Sequence, residues 1–377
     1  MTLKVDTITN VAGTGAPNIP DGVTIAGTAL ASVNQMEYTS SGSEPTSPAD
    51  GAIWWSTGDE QMFLYVNDAW YEIDSSPPPP AFLAGDRAVI AGGEGTTTNQ
   101  GRIDYYSIAT PGNATQFGTL SATYRGRRIA SASNGTRGIL AGGYGNGMKN
   151  TISYITISTT SASTDFGDLT AAREGATGVY DATRACFGGG YTGINSFPNY
   201  GYDGNIDYIT MATTGNATSF GNLVEKKGMS AGIASETRGV WIAGRLKSNG
   251  KTNGIDYITI QTTGNSTDFG DATSSGGDLG GCSDGTYGLG FGSDTDTNAI
   301  QYITIATTGN STDFGDLSVA RTGPAGAGNA SRATFSGGGG YSGSNVIDYA
   351  SFTTPANAVD FGDLTLTRGY SCGLSGA

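Results

Sequence analysis

Six times in this chain a tyrosine is followed twelve residues later by a Phe-Gly pair, with no insertion or deletion in any copy. The pairs are Tyr105/Phe117, Tyr154/Phe166, Tyr208/Phe220, Tyr257/Phe269, Tyr302/Phe314 and Tyr349/Phe361. Successive phenylalanines lie 49, 54, 49, 45 and 47 residues apart. A single unit of that size, made of short β segments, cannot bury both of its faces, so the copies must stack side by side to make a core.

Aligned on the fixed pair, each unit has four segments. One complete example runs Gly175-Ala-Thr-Gly-Val-Tyr-Asp, Arg184-Ala-Cys-Phe-Gly-Gly-Gly, Asn205-Ile-Asp-Tyr-Ile-Thr-Met and Ser219-Phe-Gly-Asn-Leu. The first segment is poor in bulky residues, as Ala231-Gly-Ile-Ala-Ser and Ala325-Gly-Ala-Gly-Asn also show, which suits an innermost strand where sheets converge. The second ends in paired or tripled Gly, allowing close backbone approach and positive φ. Clean alternation in the third, Ile255-Asp-Tyr-Ile-Thr-Ile, predicts a strand packed between two sheets. The fourth carries the phenylalanine, expected to wedge between neighbours. Six such units predict an all-β chain of six four-stranded antiparallel blades, a six-bladed β-propeller.

Basic residues also recur. Arg87, Arg137, Arg184, Arg238 and Arg332 open the second segment, and Arg173, Lys227, Arg321 and Arg368 follow the Phe by seven residues. Recurrence in nearly every unit favours structural bonds to loop carbonyls; the functional alternative is an anion site on the axis. The small-residue segment occurs seven times, at Ala81-Phe-Leu-Ala and again at Tyr370-Ser-Cys-Gly-Leu-Ser-Gly-Ala, while a ring of six has only six places for it. The C-terminal copy is expected to supply the innermost strand of the first blade and so hide both sheet edges; closure by residues 81–84 is the alternative.

The order of a basic residue with a small-residue strand, an apolar strand ending in Gly-Gly, a Tyr and then an aromatic resembles the kelch repeat over residues 81–377, about four fifths of the chain. The kelch aromatic is usually Trp and here is Phe in all six copies, so the units are kelch-like. The resemblance implies a propeller of four-stranded antiparallel blades.

Composition narrows function by subtraction. There is no histidine, which removes Ser-His-Asp and Cys-His catalysis, His-ligated metals and the usual base near neutral pH. Net charge is −14 with no basic stripe, which speaks against nucleic acid. Cys186, Cys282 and Cys372 stand alone at wide spacing, giving neither a disulfide framework nor a zinc pattern; they read as small apolar side chains in strands. No run of about 20 apolar residues would insert into a membrane, and the start lacks a secretory signal. Neither a cofactor nor a metal is expected.

Spacing separates two faces. From the Arg position to the Tyr the units span 18, 17, 24, 19, 15 and 17 residues, whereas the Tyr-to-Phe span never changes. One face is therefore built of constant turns of the Thr-Thr-Gly-Asn-Ser-Thr type, and the other of free-length loops, where recognition usually resides. The longest, Tyr191 to Asn205, brings Tyr191, Phe197, Tyr200, Tyr202 and Asp203 together as a candidate ligand site. Aromatic faces stack on sugars or protein surfaces and the Asp can bond hydroxyls; the competing reading is that the aromatics pack on one another to hold the loop down. Equivalent loops begin at Tyr144 and Tyr341, and another holds Arg245 to Lys251. Asn113, Asn134, Asn216, Asn265, Asn310 and Asn329 head Asn-x-Ser/Thr triplets, for which turn formation is a better account than glycosylation.

The first eighty residues differ in texture. Residues 1–35 are rich in Thr, Gly and Ala and too poor in apolar residues for a core of their own, so an extended arm is expected. Residues 36–76 read as a small β module with Asn67-Asp68 as a turn, and residues 77–80 as a stiff polyproline spacer before the propeller at 81–377. The opening Leu3-Lys-Val-Asp-Thr-Ile and the run Gly51-Ala-Ile-Trp-Trp with Leu64-Tyr-Val and Trp70 resemble segments of tailed-phage fibre and appendage proteins, including those of marine cyanobacterial phages.

That resemblance implies a non-enzymatic virion protein, a tail fibre or appendage. Residues 1–35 would bind other virion proteins, the chain would be a homotrimer, and a propeller head would face a host-surface glycan. An architectural decoration or collar protein and a carboxylate-dependent glycan hydrolase or lyase are the alternatives. Paired acids about 5–10 Å apart on the variable face would mark the latter.

Overall fold

A computed structural model describes residues 85–95, 101–121, 125–193, 201–247, 250–295 and 297–376 of the repeat region. Before it, residues 3–4, 24–25, 28–29, 38–41, 45–48, 52–56, 61–66 and 69–74 are described. The chain divides into two units, Met1–Pro78 and Pro79–Ala377.

In the first unit, Ile53–Ser56, Gln61–Val66 and Ala69–Asp74 form an antiparallel meander. Tyr38–Ser41 and Leu3–Lys4 add to its two edges in parallel. Trp54 is buried, stacks on Phe63 at 5.1 Å and meets Trp70 at 5.6 Å. The Asn67-Asp68 turn, the polyproline spacer and most of the arm lie outside the described residues.

The second unit is all-β and propeller-like. Its described residues form six four-stranded antiparallel sheets, each taking its strands in the order of the four sequence segments. Sheet two, for example, is Ala130–Ser133, Arg137–Ala141, Thr151–Thr156 and Thr164–Asp168. Sheets three to six follow in chain order. Sheet one is composite: Arg87–Ala91, Arg102–Ser107 and Thr115–Thr119 are completed by Cys372–Gly376, which pairs antiparallel with Arg87–Ala91.

The first strands are small-residue strands because they crowd one another. A Cβ on Gly178 would lie 2.0 Å from the Ser131 carbonyl oxygen, and one on Gly373 would lie 2.2 Å from that of Gly326. Where sheet two has Ser131 instead of Gly, its Oγ donates to the Gly373 carbonyl at 2.8 Å. All three cysteines are free and buried. Burial pushes the Cys186 and Cys372 thiols up to about 12, far from reactive thiolates.

The constant Tyr-to-Phe spacing has a geometric cause. In every sheet the pairing of the third and fourth strands skips the phenylalanine, leaving it on a β-bulge. The bulge turns the ring inward against its tyrosine, edge-on, with centroids 5.7–6.1 Å apart in all six sheets. It also turns the carbonyl outward: Phe166, Phe220 and Phe269 accept from Gly215, Gly264 and Gly309 of the next sheet's turn. That turn docks back through its Asn, as when Asp168 N donates to Asn216 Oδ1 at 3.0 Å. An inserted residue would break both contacts at once.

The repeated Asn residues thus divide. Asn134 and Asn329 form Asx turns to their own backbone. Asn113, Asn216, Asn265 and Asn310 instead accept from the neighbouring sheet.

The basic residues staple sheet to sheet. Each Arg that opens a second strand lies over its own tyrosine ring at 4.4–4.8 Å. It also donates to a carbonyl of the following sheet, Arg137 to Met211 and Arg332 of sheet six to Ile108 of sheet one. These guanidiniums are structural. The second basic set is fully buried in ion pairs with an aspartate of the following sheet: Arg173–Asp207, Lys227–Asp256, Arg321–Asp348 and Arg368–Asp104.

Candidate recognition face

Two residues before each first strand the chain adopts a left-handed conformation. The six positions are Arg128, Gly175, Met229, Asp278, Gly323 and Tyr370, with φ between 51° and 67°. Their backbones are linked in a cycle. Arg128 N donates to Tyr370 O, Tyr370 to Gly323, Gly323 to Asp278, Leu279 to Met229, Met229 to Gly175 and Gly175 to Arg128. Glycine suits this geometry, yet four of the six positions carry side chains at a cost of about 1 kcal/mol each. Such strain is retained where the side chain is needed.

Two of those side chains meet each other. Arg128 donates from Nε and Nη2 to the two carboxylate oxygens of Asp278, at 2.7 and 3.0 Å. Glu174 stands 3.5 Å from Arg128, and Arg245 bridges Asp278 at 3.3 Å and Asp294 at 2.9 Å. Lys251 completes the chain on Asp294 at 3.0 Å. Burial opposes the Arg128 charge, but the Asp278 and Glu174 carboxylates outweigh it and hold its pKa above the usual guanidinium value. Arg128, Asp278 and Tyr370 also border a cavity of about 120 Å³ whose other walls include Ser131, Ala234 and Ser283 of the first strands.

Tyrosines surround this network. Arg128 lies over Tyr370 at 4.4 Å, and Arg127 lies over both Tyr144 at 4.6 Å and Tyr341 at 5.3 Å. Burial pushes the Tyr370 and Tyr202 hydroxyls up to about 12, so both stay protonated donors at any ordinary pH.

Of the five loop residues read from the sequence, Tyr191, Tyr202 and Asp203 are described; Phe197 and Tyr200 lie outside the described residues. Tyr191 and Tyr202 are brought together by an antiparallel bridge, ring centroids 5.6 Å apart. Tyr202 also donates to Met229 Sδ at 3.7 Å. Asp203 is engaged locally, accepting from Asn205 N at 3.2 Å. At the foot of the loop the tyrosines therefore hold each other. Arg127, Arg128, Glu174, Asp278 and Tyr370 were not singled out by sequence reading. The usable signal was the position two residues before each first strand, which is Gly175 and Gly323 in two sheets and Arg128, Met229, Asp278 and Tyr370 in the other four.

No family model matches this chain, and no curated protein sequence matches it. The described residues contain no group of three His, Cys, Asp or Glu able to hold a metal ion.

Proposed function

We propose that this chain is a tailed-phage virion structural protein, a tail fibre or appendage. In this reading residues 1–35 dock to other virion proteins, and the six sheets are the blades of a closed six-bladed kelch-like propeller that binds a host-surface glycan. The cycle of backbone bonds through all six sheets, together with the pairing of Cys372–Gly376 onto Arg87–Ala91, supports the closed ring. The observation that carries the recognition role is the contrast between frame and face. Bulge, staple and turn recur from sheet to sheet, whereas the residues around the left-handed cycle differ in nearly every sheet. A scaffold that repeats its frame and individualises one end is built to present that end.

Binding is favoured over hydrolysis by the state of the acids there. Glu94, Glu174, Asp278 and Asp294 are each ion-paired with an arginine, an arrangement that suits holding hydroxyls and not cycling a proton. The fibre resemblance extends the proposal to a homotrimer, which light scattering on the full chain would test. Binding of the full chain to cyanobacterial cells and to a glycan array tests the receptor role. Saturable binding is expected, and its absence with a folded chain would leave an architectural role.

A further inference from the structure

Among the described residues five large apolar or aromatic side chains are exposed: Val224, Val319, Tyr341, Val359 and Leu366. Only Tyr341 is aromatic, and it lies on the individualised face, 56% exposed. Its ring is nevertheless held on two sides. Tyr370 meets it edge-on at 5.2 Å, and the Arg127 guanidinium lies over it at 5.3 Å. Both supports are themselves fixed. Arg127 lies over Tyr144 and donates from Nη1 to Glu94 Oε2 at 2.6 Å, while Tyr370 belongs to the backbone cycle and carries Arg128. Tyr341 lies in the connection between the second and third strands of sheet six, and Glu94 and Tyr144 lie in the equivalent connections of sheets one and two, so three neighbouring sheets hold a single exposed ring.

An exposed tyrosine that cannot swing away loses little conformational freedom when something stacks on it. Gly339, Gly340, Ser342 and Gly343 flank it, so no bulky sequence neighbour crowds the ring. A pyranose presents a C–H face of matching size, and its edge hydroxyls need donors and acceptors beside the ring, which Arg127 and Glu94 offer. The local charges cancel, with Arg127, Arg128, Arg245 and Lys251 balancing Glu94, Glu174, Asp278 and Asp294. A chain of net charge −14 also repels polyanions.

We propose that Tyr341 is the stacking platform for an uncharged sugar ring, with Glu94 and Arg127 bonding its hydroxyls. This rests on the receptor-binding reading and places the site at Tyr341 instead of on the loop from Tyr191 to Asn205.

The test uses the full chain on an array of neutral, amino, sulfated and uronic glycans, beside Tyr341→Ala, Tyr341→Phe and a Tyr200→Ala/Tyr202→Ala double variant. Tyr341 is exposed, so its replacement should leave the melting temperature unchanged. Wild type is expected to bind neutral glycans, Tyr341→Ala to weaken that binding on the order of tenfold or more, and Tyr341→Phe to retain it. Unchanged binding by Tyr341→Ala, or binding confined to acidic glycans, overturns the proposal. Loss in the Tyr200/Tyr202 variant alone keeps a receptor-binding head but moves its site to the long loop. A folded wild type that binds no glycan overturns the glycan-binding reading itself.

Discussion

The junction entering sheet three and the junction entering sheet five have the same backbone and opposite chemistry. At the first, Arg173 is fully buried against Asp207 at 2.8 Å and also donates to the Asn205 carbonyl. At the second, the position of the arginine is Gly276, and that of the aspartate is Gln301, whose Oε1 accepts from Thr273 and Ser311. The junction entering sheet two is neutral as well, with Tyr124 and Ser153 at the two positions. Four junctions thus carry both charges and two carry neither. The charge is dispensable to the frame, but it is present or absent only as a pair. That is the expected outcome when an uncompensated buried charge costs more than the pair contributes.

Breaking one pair should have the largest effect. Asp207→Ala leaves Arg173 buried without its partner, and the expected loss is about 3–5 kcal/mol in chemical unfolding. Arg173→Met combined with Asp207→Leu should restore most of it, because apolar residues of similar volume replace a buried pair nearly neutrally. A double variant as unstable as the single one would show that the pair itself, and not the relief of a lone charge, stabilises the junction.

Planting a lone charge in a neutral junction is the converse experiment. Gln301 is 5% exposed, and Gln301→Asp would bury a carboxylate facing Gly276 where four of the six junctions have a cation. A loss of about 2–3 kcal/mol at pH 7 is expected, smaller at pH 4 where the new carboxyl can take up a proton. Equal losses at both pH values would mean that water or a rearranged neighbour satisfies the charge.

This rule was legible in the sequence, though only half of it was read. The basic residue seven after the Phe in four of the six units stood out, since it recurs at a fixed offset within one unit. Its aspartate belongs to the next unit, 34 residues on in the case of Asp207, so alignment within units hides the correlation with Ser153 and Gln301. The all-β character, the four strands per sheet and the completion of sheet one by the C-terminal segment followed from counting segments. The bulge at each Phe did not, because a bulge is a property of the register between two strands. The Arg128–Asp278 contact was out of reach. The two residues are 150 apart, each occurs once, and nothing periodic links them.

A milder contrast concerns the other staple. Arg238 lies over Tyr257 at 4.4 Å and donates to the Ile305 and Ala306 carbonyls of sheet five. In sheet five Tyr287 replaces the arginine and meets Tyr302 edge-on at 6.3 Å. Arg238→Ala should cost about 1–2 kcal/mol, through its cation–π contacts with Tyr257 and Phe269 and its two backbone hydrogen bonds. Tyr287→Arg should be tolerated within about 1 kcal/mol, since five sheets already accommodate an arginine there. A melting-temperature series on these two variants checks both; equal losses would mean that sheet five has diverged in shape as well as in sequence.

The smallest effect separates the one lysine pair from the three arginine pairs. Lys227 Nζ stands 3.4 Å from Asp256 Oδ2, and burial is the largest influence on both groups, lowering the lysine pKa and raising the aspartate pKa from 3.8. A carboxyl whose folded pKa is raised takes up its proton in the folded chain before the unfolded chain does. Its contribution to stability is therefore fully present below 3.8 and is lost as pH rises through the folded value. Asp256→Asn cannot titrate, so wild type should gain stability relative to that variant as pH falls from 7 toward 4. The general acid destabilisation of an acidic chain affects both proteins alike and cancels in the difference. Denaturant unfolding of the two proteins at pH 7, 5.5 and 4 measures that gap directly. A gap independent of pH would place Asp256 with ordinary carboxylates. A gap that grew toward neutral pH in favour of wild type would mean that the Lys227 ammonium outweighs burial, as in a fully compensated pair.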